Sequence, residues 1–144
     1  MVVSFTISGE PQGKGRPRFG NGRTYTPEKT VIYENLVRME YIRQVNHNFG
    51  DGPLAMFIEA HYTIPASASK KRQAEMREGK ILPTKKPDLD NIAKAIADSL
   101  NGIAYKDDSQ IVKLHMTKRY AENPCVVVGI WEAARLKKEA TYER

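Results

Sequence analysis

Between Pro87 and Gly102 the apolar positions recur with a helical period. At about 100° per residue, Leu89, Ile92, Ala93, Ile96, Ala97 and Leu100 fall on one arc. Asp90, Asn91, Lys94, Asp98 and Asn101 fall on the other. Pro87 holds Lys86 extended and Asp88 is a good N-cap, so the pattern predicts a helix from about residue 88 to the stop signal Gly102. A second helix is expected from the Thr26-Pro27 start to about Asn46, with Val31, Leu36, Met39 and Ile42 as its core stripe, and Tyr33 and Tyr41 partly included. Residues 67–78 predict a short, mostly polar helix ending at Gly79.

Strand patterns lie around these helices. Residues 2–8, VVSFTIS, are β-branched and aromatic, and 53–64 form a second such run bounded by Asp51-Gly52 and Pro65. Short strands are expected at 103–105 and 109–120, interrupted by an aspartate turn, and a last strand at 124–131. Residues 9–26 hold five glycines and two prolines and predict a long irregular loop of the kind that usually serves function. The order β-α-β-α-α-β-β implies an α+β domain of two layers, one mixed sheet with helices packed against it. A single domain over 1–131 is expected, with 132–144 as a C-terminal tail, a weak helix or a frayed end. No repeat or heptad interrupts it.

Length and composition agree: 144 residues support one core, and 40% hydrophobic with 28% charged residues is an ordinary globular balance. No apolar run reaches membrane-spanning length, and MVVSFTISGE reads as a strand and not as a signal segment. With a lone Cys125, this points to the reducing cytoplasm.

Charge changes the picture. The net charge is +6, and all the excess lies early: residues 1–87 carry 14 Lys and Arg against 8 Asp and Glu, whereas 88–144 carry 9 of each. Lys14, Arg16, Arg18 and Arg23 lie in a stretch, 11–27, that holds no acid. Such a stretch is either a solvated loop or a surface that tracks phosphates. GKGRPR lacks the Gly-Lys-Ser/Thr ending of a phosphate loop, so no nucleotide cofactor is expected.

Five aspartates, 88, 90, 98, 107 and 108, fall within KPDLDNIAKAIADSLNGIAYKDDSQ. Each alone is ordinary, as a helix cap, a first-turn acid or a turn residue. Together they repel and titrate upward unless a cation sits among them. Asp90, Lys94 and Asp98 stack at i,i+4 spacing, and the turn Tyr105–Ser109 would return Asp107 or Asp108 to the helix N-terminus. An acidic pair, a lysine on its face and a second acidic pair match the parts of metal-assisted phosphoryl transfer. Oxygen ligands select Mg²⁺, with Mn²⁺ as substitute, and His47, His61 and His115 lack zinc spacing.

KPDLDNIAKAIADSLNGIAYKDDSQI resembles the signature of the RusA family of Holliday junction resolvases. PQGKGRPRFGNGRTYTPEKT resembles the opening of the phage and Gram-positive branch of that family, and the likeness covers roughly 5–130. The resemblance implies a homodimer that binds four-way DNA junctions and makes paired symmetric nicks with Mg²⁺. It implies Asp88, Asp90 and Asp108 as metal ligands and Lys94 as the essential lysine, with Asp98 and Asp107 at further acidic positions and Asn91 in support. Lys94 would then stabilise charge developing on the scissile phosphate. The rival expectations are a non-catalytic branched-DNA-binding module, a flap or general structure-selective nuclease, and an enzyme of small phosphate compounds.

Overall fold

The computed structural model describes residues 1–134; most of the expected tail lies outside them. The chain runs β1 (Val2–Ser8), β2 (Arg18–Gly20), β3 (Arg23–Tyr25), α1 (Glu28–Gln44), β4 (Leu54–Thr63), α2 (Lys70–Arg77), α3 (Leu89–Ser99), a 3-10 turn (Asp108–Gln110), β5 (Ile111–Ala121) and β6 (Cys125–Glu132). The expected order of elements holds, with one added hairpin. The main sheet has the order β1-β6-β4-β5, and β4 pairs parallel with β5 while β1–β6 and β4–β6 pair antiparallel. The sheet is therefore mixed and the domain α+β.

One sheet face is covered by helices. Alternation along β4 and β6 sends Leu54, Met56, Ile58, Ala60, Val126, Val128 and Ile130 into a core shared with Ile92, Ile96 and Leu100 of α3. The helical arc read from 88–101 is thus the buried one at these three positions, although Leu89 is 38% exposed.

On α1 the expected stripe is on the wrong side. Tyr33, Val37 and Tyr41 are buried, whereas Val31, Leu36, Met39 and Ile42 are exposed, Met39 at 67%. The helix has apolar side chains on two opposite arcs, so periodicity cannot say which turns inward. The arc with two tyrosines buries more surface, and the Tyr41 ring meets Phe5 edge-on at 5.1 Å.

Two further expectations are corrected. Residues 103–105 do not form a strand: only an isolated bridge joins Asn101 to Tyr105, and Gly102 turns the chain at φ 79°. The loop 9–26 is not wholly irregular, because β2 and β3 pair across Asn21 and Gly22, whose φ values are 51° and 76°. Two positive φ values in succession are what a type I′ hairpin turn demands, and Asn-Gly is its best sequence.

On the other sheet face Phe57 lies across Gly129. A Cβ on Gly129 would stand 1.9 Å from the Phe57 ring, which also approaches Trp131 at 6.2 Å. Gly129→Ala is expected to lower stability in urea denaturation by about 1–3 kcal/mol, the usual range for overpacking. Adding Phe57→Leu should recover part of that loss; equal loss in single and double variants would disprove the clash.

Candidate active site

Parallel pairing of β4 with β5 forces the chain between them to cross the sheet and return. Helix α3 therefore starts near the end of β4, where the Tyr62 hydroxyl donates to the Pro87 carbonyl at 3.1 Å, and finishes near the start of β5. Helix α1 runs parallel to it. Near their N-termini the Gly15 amide donates to the Thr30 hydroxyl at 2.9 Å and the Lys14 amide to the Asn91 carbonyl at 3.2 Å. Two turns further on, the Arg38 guanidinium donates to the Ser99 carbonyl at 2.9 Å.

The segment Gly13-Lys14-Gly15 is clamped between the two helices. A Cβ on Gly13 would meet Pro87 at 3.0 Å and Asn91 at 3.1 Å, and one on Gly15 would meet the Thr30 hydroxyl at 2.5 Å. The side chain between them is committed inward: Lys14 Nζ lies 2.7 Å from Asp98 Oδ2 and 3.2 Å from Glu34 Oε2. Burial alone would lower the Lys14 pKa, but bonding to Asp98 and Glu34 more than offsets it and holds the ammonium above its ordinary value. Glu34, 8% exposed, had no signal in the sequence beyond being an acid on the helix side that turns inward.

This staple sets the next residues around a cleft. Gly13, Lys14, Arg16, Lys86, Pro87, Asp88 and Asn91 line a volume of about 550 Å³. A neighbouring cleft of about 490 Å³ continues past Arg16, Arg18, Lys29 and Lys86. Lys29 and Lys86 were not singled out in the sequence. They join the basic group only because both helices begin at this end.

Asp88 holds the N-cap position of α3, yet its side chain makes no cap hydrogen bond. Asp88 and Asp90 are both exposed. Lys94 is exposed on the same arc and forms no ion pair among the described residues, so a helix pair with Asp90 or Asp98 does not occupy it.

Asp107 and Asp108 are not returned to this end. Asp108 Oδ1 lies 3.5 Å from Asn101 Nδ2, just past the C-terminus of α3. Ten residues at about 1.5 Å rise separate Asp88 from Asp98, so the two ends stand on the order of 15 Å apart. Asp107 caps the 3-10 turn, accepting from the Ser109 amide at 3.0 Å, and hydrogen bonding to the Ser109 side chain, then to its amide, holds the carboxyl below the usual range. The buried Tyr105 hydroxyl, which donates to the Ala97 carbonyl at 2.6 Å, is pushed well up by burial and then by Asp108, Asp98 and Asp107. The acids thus form two groups, 88 and 90 at one end of α3 and 98, 107 and 108 around its other end. Among the described residues no three His, Cys, Asp or Glu side chains are gathered for one ion.

Tyr62, at the Asp88 end, is raised to about 12 by burial and then by the charges of Glu10 and Asp88. Two of the histidines have partners elsewhere: the His47 ring meets Phe49 edge-on at 4.6 Å, and His61 pairs with Glu59 at 3.3 Å.

The description of the RusA endodeoxyribonuclease family matches residues 8–131. The uncharacterized protein YqaN of Bacillus subtilis (strain 168) is 36% identical over 138 residues, covering 92% of this chain and 97% of the relative. The protein is therefore an endodeoxyribonuclease, a hydrolase of bonds within a DNA strand. It belongs to the RusA family, whose members are Holliday junction resolvases that bind branched DNA and generally depend on a divalent metal.

Lys14→Met should expose the worth of the staple. Glu34 would be left buried without its partner, and stability at neutral pH should fall by about 1–3 kcal/mol. A raised lysine pKa contributes stability in full below 10.5 and loses it as pH rises through the higher folded value. The difference in Tm between wild type and variant should therefore shrink above pH 10.5; a constant difference in a calorimetric pH series would refute the ion-pair account.

Proposed function

We propose that this enzyme resolves four-way DNA junctions by paired symmetric nicks, using Mg²⁺ or, in its place, Mn²⁺, as a homodimer in the cytoplasm. The observation that carries the reading is an uncapped, exposed Asp88 with Asp90 beside a cleft lined by Arg16 and Lys86. Mg²⁺ usually keeps several waters and takes only one or two carboxylates plus substrate phosphate, and the Asp88–Asp90 pair fits that demand. A divalent ion bound there supplies a polarised phosphoryl oxygen and a more acidic water.

The chain's own groups do the rest. Arg16, Arg18 and Arg23, with Lys29 and Lys86, hold the phosphate backbone electrostatically, and Lys14 serves them by fixing the loop. Lys94, one turn beyond Asp90, offers its ammonium to charge developing on the scissile phosphate. Asn91 supports the cleft from the first turn of α3, and its carbonyl accepts from Lys14. Asp98 anchors Lys14, and Asp107 shapes the turn that presents Asp108. Asp108 enters the catalytic set through the family motif alone. Among the described residues no helix is long and apolar enough to cross a membrane.

The exposed arc of α1 supports the homodimer. Val31, Ile32, Leu36, Met39 and Ile42 span about 140° of the helix, with Glu28 in its first turn and Arg43, which also pairs with Glu40 at 2.8 Å, in its last. An antiparallel copy of α1 centred between Asn35 and Leu36 sets Ile32 against Met39 and Glu28 against Arg43 of the second copy, a self-complementary arrangement. Glu28→Arg and Arg43→Glu are each expected to weaken the dimer in analytical ultracentrifugation, and the double exchange to restore it. A dimer indifferent to all three would place the interface elsewhere.

The activity test is cleavage of synthetic four-way, three-way and linear duplexes with and without Mg²⁺. Asp90→Asn should reduce the single-turnover rate by on the order of a thousandfold or more while junction binding is kept or strengthened. Asp108→Asn should likewise abolish cleavage with Tm unchanged; a lowered Tm with cleavage retained would confine Asp108 to holding Asn101. Equal cleavage with and without Mg²⁺ would refute the reading.

A further inference from the structure

The β2–β3 hairpin leaves an aromatic ring in solvent. Phe19 is 76% exposed, the highest exposure of any aromatic among the described residues, and Tyr25 is 48% exposed. The register Arg18↔Tyr25, Phe19↔Thr24 and Gly20↔Arg23 puts Phe19 and Thr24 on one face and the two arginines with Tyr25 on the other. The Tyr25 ring covers Gly20, where a Cβ would meet it at 3.1 Å, so Tyr25 braces the hairpin. On its own face Phe19 has only Thr24 across from it.

A single exposed apolar side chain is ordinary and by itself says nothing. Three features set this one apart. The Asn21-Gly22 turn holds the ring on a formed hairpin, not a loose loop. Arg18 beside it in the chain and Arg23 one step off its partner Thr24, both on the opposite face, carry charge suited to a DNA backbone. The hairpin base enters the cleft through Arg16, Pro17 and Arg18, and three residues of extended chain place Phe19 within about 10 Å of Arg16. An exposed aromatic ring on a basic element is how proteins bind unstacked bases without reading their sequence.

We infer that Phe19 stacks on a nucleobase left unstacked at the branch of the DNA, and so contributes to choosing branched DNA over linear duplex. The inference rests on the nuclease reading above for the nature of the ligand. In a linear duplex every base face is covered by its neighbours, and reaching one costs unstacking energy. At a branch that cost is lower, so the Phe19 contact is gained mainly there. Because every base has a π-face, the contact is indifferent to sequence.

The test measures binding without metal, so that it stands apart from cleavage. Full-length wild type, Phe19→Ala and Phe19→Trp are titrated against a four-way junction carrying 2-aminopurine at the branch, and against a linear duplex of the same strands' sequence. Phe19→Ala should weaken junction binding by roughly 5- to 100-fold, the loss of one base stack, with little change on linear duplex. The slope of affinity against salt should be unchanged, since no charge is removed, whereas Arg18→Ala should flatten it by about one unit. Wild type and Phe19→Trp should alter the 2-aminopurine emission, and Phe19→Ala should not. An equal loss on both DNAs, or no loss on either, overturns the inference. Should wild type bind junctions but cut none, the nuclease reading would fail while this measurement kept its meaning.

Discussion

The pairing of β4 with β5 in parallel is the constraint on which the active end of the molecule depends. Parallel neighbours cannot be joined by a tight turn, so the chain must cross the sheet through a connection that runs against both strands. That sets the direction of α3. Its N-terminus, with Asp88 and Asp90, faces the far end of β4, and the turn leading into β5 stands at its C-terminus. Because α1 lies parallel to α3, both helices point their N-terminal dipoles into the same basic region, where negative charge is favoured. The Lys14 staple closes the gap between them and carries the loop across it.

Much of this was legible in the amino-acid order. The alternation of β4, the apolar arc of α3 and the stop at Gly102 follow from period and turn chemistry, and they recur in the structure with ends shifted by a residue or two. The DLDN element also reads correctly as the start of a helix. Less legible was α1, because a helix with two apolar arcs gives periodicity nothing to discriminate. The Asn-Gly hairpin was a missed signal, hidden by the glycine content of its surroundings.

The spatial relation of the acids was beyond reach for a different reason. Carboxylates one helix apart in sequence are brought together or held apart by the direction of the crossover, and local patterns carry no information on that. Lys14 illustrates the same limit. In an acid-free stretch it reads as a DNA contact, yet its nearest charges, Glu34 and Asp98, come from 20 and 84 residues away. The neighbouring Arg16 and Arg18 are exposed, so a structural basic residue and two surface ones lie within five positions.

That change from inward to outward side chains divides the loop into a fixed root and an outlying tip. Gly13 and Gly15 have no room for a larger side chain, while residues 18–25 lie almost wholly in solvent and lend nothing to the core. Evolution can therefore rewrite the tip without disturbing folding or the acidic pair. Transplanting it between relatives would be a direct route to enzymes with altered substrate preference on an unchanged scaffold.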